Sequence, residues 1–287
     1  MNLFCHLIAY FATKNAILLD FQFIRPVGNI HLFYISRCES TQSAIVQLIE
    51  QGVMGLGNRS LPIAIFSDDQ RNGKGQQGKK WTTEVGKNVT ITIALPLDGW
   101  KNIDVVLLNK ALSVCTLKPI QNFVDEPLFL KWPNDIVTKS HKLGGLLMEM
   151  TQVMNQKFLL LGIGINVNQE NWESEPKATS LRKLKGELLE VADVMDAILL
   201  SIDDIWKNMR DLKLDYRQAL WNMGEEVLLD IQSNEKTEKH EFVEINEIGG
   251  EQIRGIFHEV DEEGRIVVSM ENGTMLRFHH GQVRLKF

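Results

Sequence analysis

The sequence predicts an α+β fold in two parts: a larger mixed-sheet domain over residues 30–223 and a small all-β domain over residues 224–287. Residues 1–29 form an N-terminal extension with no assigned role. Three observations carry this expectation. Apolar runs of strand length are interleaved with helical stretches through the first part of the chain. A long helical pattern follows them. From Gly224 onward the pattern changes to short strands separated by polar turns. With 287 residues and 44% hydrophobic content, the chain can bury the core such a fold needs.

Along the first part, Pro26-Val27-Gly28-Asn29 reads as a turn before a short strand, Ile30 to Ile35. Glu39-Ser40-Thr41-Gln42 precedes Ala44, Ile45, Leu48 and Ile49, the spacing of an amphipathic helix capped by Ser40 or Thr41 and ended at Gln51-Gly52. Leu61 to Ser67 is a strand-like apolar run. Asn88 to Leu95 alternates Val89, Ile91, Ile93 and Leu95 against Thr90 and Thr92. A buried helix is expected from Asp104 to Leu117, then strands at Leu128–Trp132, Leu143–Met150 and Phe158–Ile165.

Val191 to Trp221 places Val194, Ile198, Ile202, Ile205, Met209 and Leu212 at helical spacing, which predicts one or two surface helices. The second part reads as strands at Glu226–Ile231, Phe242–Ile245, Ile253–Val260, Arg265–Met270, Thr274–Phe278 and Gln282–Lys286. Asp261 to Gly264 and Glu271 to Gly273 are hairpin turns between them.

The formal charge of -6 argues against a broadly basic surface that would coat nucleic acid, so any anion site must be local. No DNA partner is expected. Cys5, Cys38 and Cys115 are odd in number and unpaired in spacing, which suggests neither a disulfide framework nor a zinc site and fits a cytoplasmic location. Met1 to Phe23 lacks a basic n-region and is interrupted by His6, Lys14 and Asn15, so no secretory leader is expected. No apolar run approaches the roughly 18 residues needed to cross a bilayer, so no membrane partner is expected either.

Four segments carry chemistry. Gln70 to Trp81 holds Gly73, Gly75 and Gly78 together with Arg71, Lys74, Lys79 and Lys80, and reads either as an anion cradle or as a solvated basic hairpin. In Lys131-Trp132-Pro133-Asn134-Asp135, the proline stiffens a strand exit and places Asn134 and Asp135 on the following turn. There they form either an Asx turn or a holder of metal or nucleotide. Lys142 begins an apolar strand weakened by Gly144-Gly145, glycines that admit a ligand or another backbone. Gly162 and Gly164, in Gly162-Ile163-Gly164-Ile165-Asn166-Val167-Asn168, share one face of a strand. That face reads as tightly packed sheet; a dinucleotide fingerprint would need a third glycine and a following helix, which are missing.

In this order and spacing, KWPND, KLGG and GIGINVN resemble the biotin protein ligase family over about residues 30–287. The resemblance implies a biotin/lipoate ligase-like catalytic domain with a small C-terminal SH3-like β-barrel, and ATP and biotin as substrates with Mg2+. Ser40, Thr41 and Gln70 would bind the biotin ureido ring, Gly73 and Lys74 would open the closing loop, and Gly145, Gly162 and Gly164 would line the biotin channel. Lys142 corresponds to the catalytic lysine and Asp135 to a catalytic carboxylate near the phosphates and metal, with Asn134 beside it. Lys74, Gln76, Lys79, Trp81, Asn166 and Lys286 complete the adenylate side.

The implied partner is the biotin carboxyl carrier domain of a biotin-dependent carboxylase, with a homodimer left open. Residues 1–29 are too few for the winged-helix domain of the family's regulatory members. One departure concerns the loop, which in the family usually reads like GRGRRG. Here Lys74 stands at its second position and Gln76-Gln77 at its fourth and fifth.

Overall fold

The computed structural model describes residues 21–52, 61–97, 104–172, 175, 177–208, 216–232 and 252–287. Strand alternation is clearest in β6 (Asn88–Pro96), and this strand lies in the middle of an eight-stranded sheet. The order is β1 (Gln22–Val27), β2 (Ile30–Cys38), β3 (Ile63–Gln70), β6, β10 (Gln156–Asn166), β9 (Lys142–Val153), β8 (Asp135–Val137) and β7 (Phe129–Lys131). All pairs are antiparallel except β2 with β3. Parallel neighbours need a crossover, and α1 (Thr41–Glu50) lies within this one, with Ser40 Oγ capping it by accepting from Ser43 N at 3.1 Å.

The two faces of β6 have different fates. Val89, Ile91, Ile93 and Leu95 enter a core shared with Leu108 and Leu112 of α2 (Val105–Gln121) and Val194, Ile198 and Ile202 of α4 (Val191–Asn208). Ala94 joins the smaller core under α1 with Ile45, Leu48 and Ile49. Thr90 and Thr92 share that side yet are 4% and 0% exposed, so the strand's polar stripe faces the protein interior rather than solvent. Two short helices, α3 (Leu181–Lys185) and α5 (Tyr216–Ala219), complete the first part.

The second part is a five-stranded antiparallel sheet of β11 (Glu226–Ile231), β12 (Gln252–Val260), β13 (Ile266–Ser269), β14 (Met275–Phe278) and β15 (Val283–Leu285), ordered β14-β13-β12-β11-β15. Among the described residues its edges β14 and β15 do not pair, so the expected SH3-like barrel is seen as an open small sheet. Its apolar face is continuous with the main core. Lys110 Nζ donates to the carbonyls of Val260 and Asp261 at 2.9 and 2.8 Å, and Trp132 Nε1 to that of Gly264 at 3.0 Å, which fixes the sheet against α2 and the β7–β8 turn.

Several expectations shift. Residues 22–27 are an edge strand of the main sheet rather than part of a separate extension, and Pro26 and Val27 lie within it. The turn is Gly28-Asn29. Gly28 has φ +59, and a Cβ there would stand 1.9 Å from Asp203 Oδ2 of α4, so glycine is required twice over. Asp135 opens β8 instead of sitting on the turn, because Lys131 and Asp135 face each other in the ladder around Trp132-Pro133-Asn134. Residues 1–20, with Cys5, His6, Lys14 and Asn15, lie outside the described residues, as do Met209, Leu212 and the strand expected at 242–245. No helix among the described residues is long and apolar enough to cross a membrane.

Candidate active site

The sheet's register assembles the site. Gly162 pairs with Thr92, Gly164 with Thr90 on one side and Gly145 on the other, and Gly145 with Asp135. Gly162 and Gly164 are two residues apart on one face, roughly 7 Å along the strand. They mark two ends of a cavity of about 650 Å³ between α1, the sheet and the β11–β15 sheet.

At the Gly162 end the groups are neutral and hydrogen-bonding. Gln70 Oε1 accepts from Thr41 N at 2.9 Å and from Thr41 Oγ1 at 3.2 Å, and Thr41 Oγ1 lies 2.8 Å from Thr92 Oγ1. Gln42 Nε2 donates to Leu147 O at 3.2 Å, and a Cβ on Gly162 would come within 3.3 Å of that amide nitrogen. Ser40, Thr41, Gln42 and Thr92 are all buried.

The Gly164 end is charged. Lys142 Nζ lies 2.8 Å from Asp135 Oδ1, and a Cβ on Gly145 would reach within 3.3 Å of the same oxygen, so glycine leaves the pair its room. The lysine's backbone is pinned on both sides, its N–H donating to Lys177 O at 2.6 Å and its carbonyl accepting from Thr179 N at 2.8 Å. The Trp81 indole sits over Gly164, where a Cβ would approach three ring atoms to 2.5–2.7 Å. Eight basic side chains line the cavity, Lys74, Lys79, Lys80, Lys131, Lys142, Lys177, Arg284 and Lys286, against the carboxylates of Asp135 and Glu175. In an acidic chain this is a local concentration of positive charge.

The field of these cations shows in their titration. Burial pushes Lys131 from 10.5 to about 8; Asp135 opposes this, while Arg284, Lys142 and Lys177 add to it. Lys79 is lowered by burial and then by Arg284 and Lys142. Lys131 is 7% exposed, with Nζ 3.8 Å from the centroid of the Phe287 ring and 5.6 Å from that of Trp221. Cation–π attraction offsets part of its lost hydration.

Of the expected site residues, Ser40, Thr41, Gln70, Lys74, Gln76, Lys79, Trp81, Asp135, Lys142, Gly145, Gly162, Gly164, Asn166 and Lys286 are brought together on the cavity wall. Gly73 and Asn134 are not. Gly73 lies behind the wall, where a Cβ would meet Gln70 Nε2 at 2.3 Å, so it lets the loop pass Gln70 rather than face a ligand. Asn134 acts through its backbone, its carbonyl accepting from Leu146 N at 2.9 Å. Residues 70–81 form a hairpin of β4 (Gly73–Lys74) and β5 (Lys80–Trp81), and it lends lysines to the cavity wall. The Gln77 side chain lies outside the described residues. Lys286 is tied to Asp230 at 2.7 Å and holds that carboxyl below its ordinary value.

The sequence assigned no role to Gln42, Lys131, His280 or Phe287. Gln42 and Lys131 stood inside quoted motifs, but nothing local marked the others. As for metal, Asp135 is a single carboxylate already ion-paired to Lys142, and no group of three or more His, Cys, Asp or Glu side chains gathers among the described residues. The residues present do not fit a protein-held Mg2+.

Residues 36–168 match the model of the Biotin/lipoate A/B protein ligase family. The biotin–[acetyl-CoA-carboxylase] ligase of Mycobacterium tuberculosis is 24% identical to this chain over 75% of its length and 76% of the relative's. The bifunctional ligase/repressor BirA of Bacillus subtilis is 29% identical over 67% of the chain and 58% of its own length. Among solved structures, the Aquifex aeolicus biotin protein ligase in complex with biotin and ATP has a TM-score of 0.65 at 23% identity, covering 89% of this chain and 98% of that one. The Leishmania major biotin protein ligase with biotin has a TM-score of 0.56 at 18% identity, with 88% and 98% covered. These two likenesses establish that this chain shares their fold.

Proposed function

We propose that the chain is an ATP-dependent biotin protein ligase that forms biotinyl-5'-AMP from biotin and Mg-ATP and then transfers biotin to a lysine of a biotin carboxyl carrier domain. The carrying observation is the two-ended cavity, in which neutral buried donors and acceptors at Gly162 lie a few ångströms from the Lys142–Asp135 pair and its surrounding cations. That suits a ligand with an uncharged hydrogen-bonding head and an acyl end that becomes anionic. The relatives' names agree with this reading.

In the first step a biotin carboxylate oxygen attacks the α-phosphorus of ATP, the bond to the β-phosphate oxygen breaks, and pyrophosphate leaves. Charge accumulates at the α-phosphate, where Lys142, Lys131 and Arg284 are fixed in advance and are worth most once water is excluded. In the second step the acceptor amine attacks the acyl carbon and AMP leaves. A lipoate or octanoate ligase is the rival with a similar architecture. An aliphatic head would leave the buried Gln42 Oε1, which has no hydrogen-bond partner within the protein, unsatisfied at about 1–3 kcal/mol, which favours biotin.

The test is transfer of labelled biotin to a purified carrier domain with and without ATP, in wild type and Lys142→Ala, with pyrophosphate measured in parallel. ATP-dependent labelling that collapses in the variant is expected. Pyrophosphate release with lipoate but not with biotin would overturn the substrate, and release with neither would overturn the activity.

A further inference from the structure

The second step poses a problem that Lys142 does not solve. An acceptor lysine arrives as an ammonium ion, which neither attacks an acyl carbon nor enters readily a cavity lined by eight basic side chains. It must lose a proton near the rim. Three groups on the wall could take one: Asp135, Glu175 and His280. Asp135 is held by Lys142 at 2.8 Å, and losing that charge would break the pair. Glu175 is a carboxylate exposed to solvent, a weak base for an amine.

His280 is placed differently. It comes from the turn between β14 and β15, on the second sheet, and stands exposed on one side with its ring edge-on to Trp132 at 6.1 Å. That turn is fastened by His279 N donating to Gln282 Oε1 at 2.6 Å and Gln282 N to His279 O at 3.1 Å. Trp132 is fastened in turn to Gly264 O at 3.0 Å. The charges that reach the imidazole are Lys79 of the loop and Asp135 of β8.

We infer that His280 is the base that takes the proton from the acceptor lysine as it enters the cavity, an assignment that rests on the ligase reading above. The ammonium gives one proton to the imidazole, and the freed amine attacks the acyl carbon of the adenylate. The bond from that carbon to the phosphate oxygen breaks, an amide forms, AMP leaves, and the second nitrogen proton goes to solvent. Burial, then Lys79, push the imidazole pKa below 6.5 against the pull of Asp135, so the ring is unprotonated at neutral pH and able to accept. As pH falls far enough for the ring to gain its proton, transfer slows.

Hydroxylamine provides the test, because its nitrogen is already unprotonated at neutral pH and needs no base to attack the adenylate. With biotin, ATP and the full chain, His280→Ala should lower transfer to the carrier-domain lysine at least tenfold relative to hydroxamate formation, within the range general bases supply. In the variant the break in the transfer rate at the imidazole's pKa should vanish, leaving a rate that climbs with pH as the free-amine fraction grows, and added imidazole should restore the lysine reaction. An equal loss with both nucleophiles, or no loss with either, would overturn the inference. A wild-type chain that releases no pyrophosphate from biotin and ATP would instead overturn the ligase reading beneath it.

Discussion

Replacing Lys131 with methionine removes a charge that the native state holds at a cost. Burial brings its pKa from 10.5 to about 8. At about 1.4 kcal/mol per tenfold, this makes the native state roughly 3 kcal/mol less stable than if Lys131 were neutral. The pH window follows from the depressed value. Below about pH 8 both states carry the proton and the full cost is present. Between 8 and 10.5 the unfolded chain keeps a proton that the native chain has released, so stability rises with pH. Above 10.5 the cost is gone.

Methionine has similar length and no charge to desolvate, and it can keep its contact with the Phe287 ring. Urea unfolding across this range should find Lys131→Met about 3 kcal/mol more stable than wild type at pH 7, with the advantage shrinking as pH passes from 8 to 10.5. Pyrophosphate release should fall by at least about tenfold, because the amine lies among the cations of the cavity. A variant less stable than wild type at pH 7, or an advantage independent of pH, would refute the claim that burial sets this lysine's charge.

Gly164→Ala would put a methyl 2.5–2.7 Å from three Trp81 ring atoms, where carbon contacts settle near 3.5–4.0 Å. The indole must withdraw by about 1 Å, and initial rates should show pyrophosphate release falling roughly a hundredfold with little change in unfolding. Gly144→Ala instead meets Gly164 O at 2.6 Å, backbone that cannot withdraw, and should cost about 1–3 kcal/mol in urea titration. Arg284→Ala should raise the KM for ATP roughly tenfold in steady-state assays. Lys286→Ala should do so less, because Lys286 is committed to Asp230. Gln77→Arg would restore a cation to the loop and should slow dissociation of biotinyl-adenylate about ten- to a hundredfold, at roughly 1.5–3 kcal/mol for a charged hydrogen bond. Equal dissociation rates would count against it.

The sequence by itself determined what short-range periodicity can carry. Alternation in Asn88–Pro96 marks a strand, the spacing of Val194, Ile198 and Ile202 marks a helix, and Gly162 and Gly164 lie on one face whatever surrounds them. Motif order pointed to Lys142 and Asp135, which the structure places 2.8 Å apart. Composition required the anion site to be local but not where it lies.

Tertiary structure decided whatever depends on contacts between distant residues, because no local period encodes a partner. It turned Thr90 and Thr92 inward to a cavity where alternation alone would have left them to solvent. It put β2 beside β3 in parallel and drew Gln22–Val27 into the sheet. It set Gly73 behind Gln70 and left Asn134 to act through its carbonyl. Phe287 over Lys131, Arg284 among the lysines and His280 at the rim come from a sheet that docks on Trp132 and Lys110. That docking is a matter of complementary surfaces folded from distant segments, and it is what completes the charged end of the cavity.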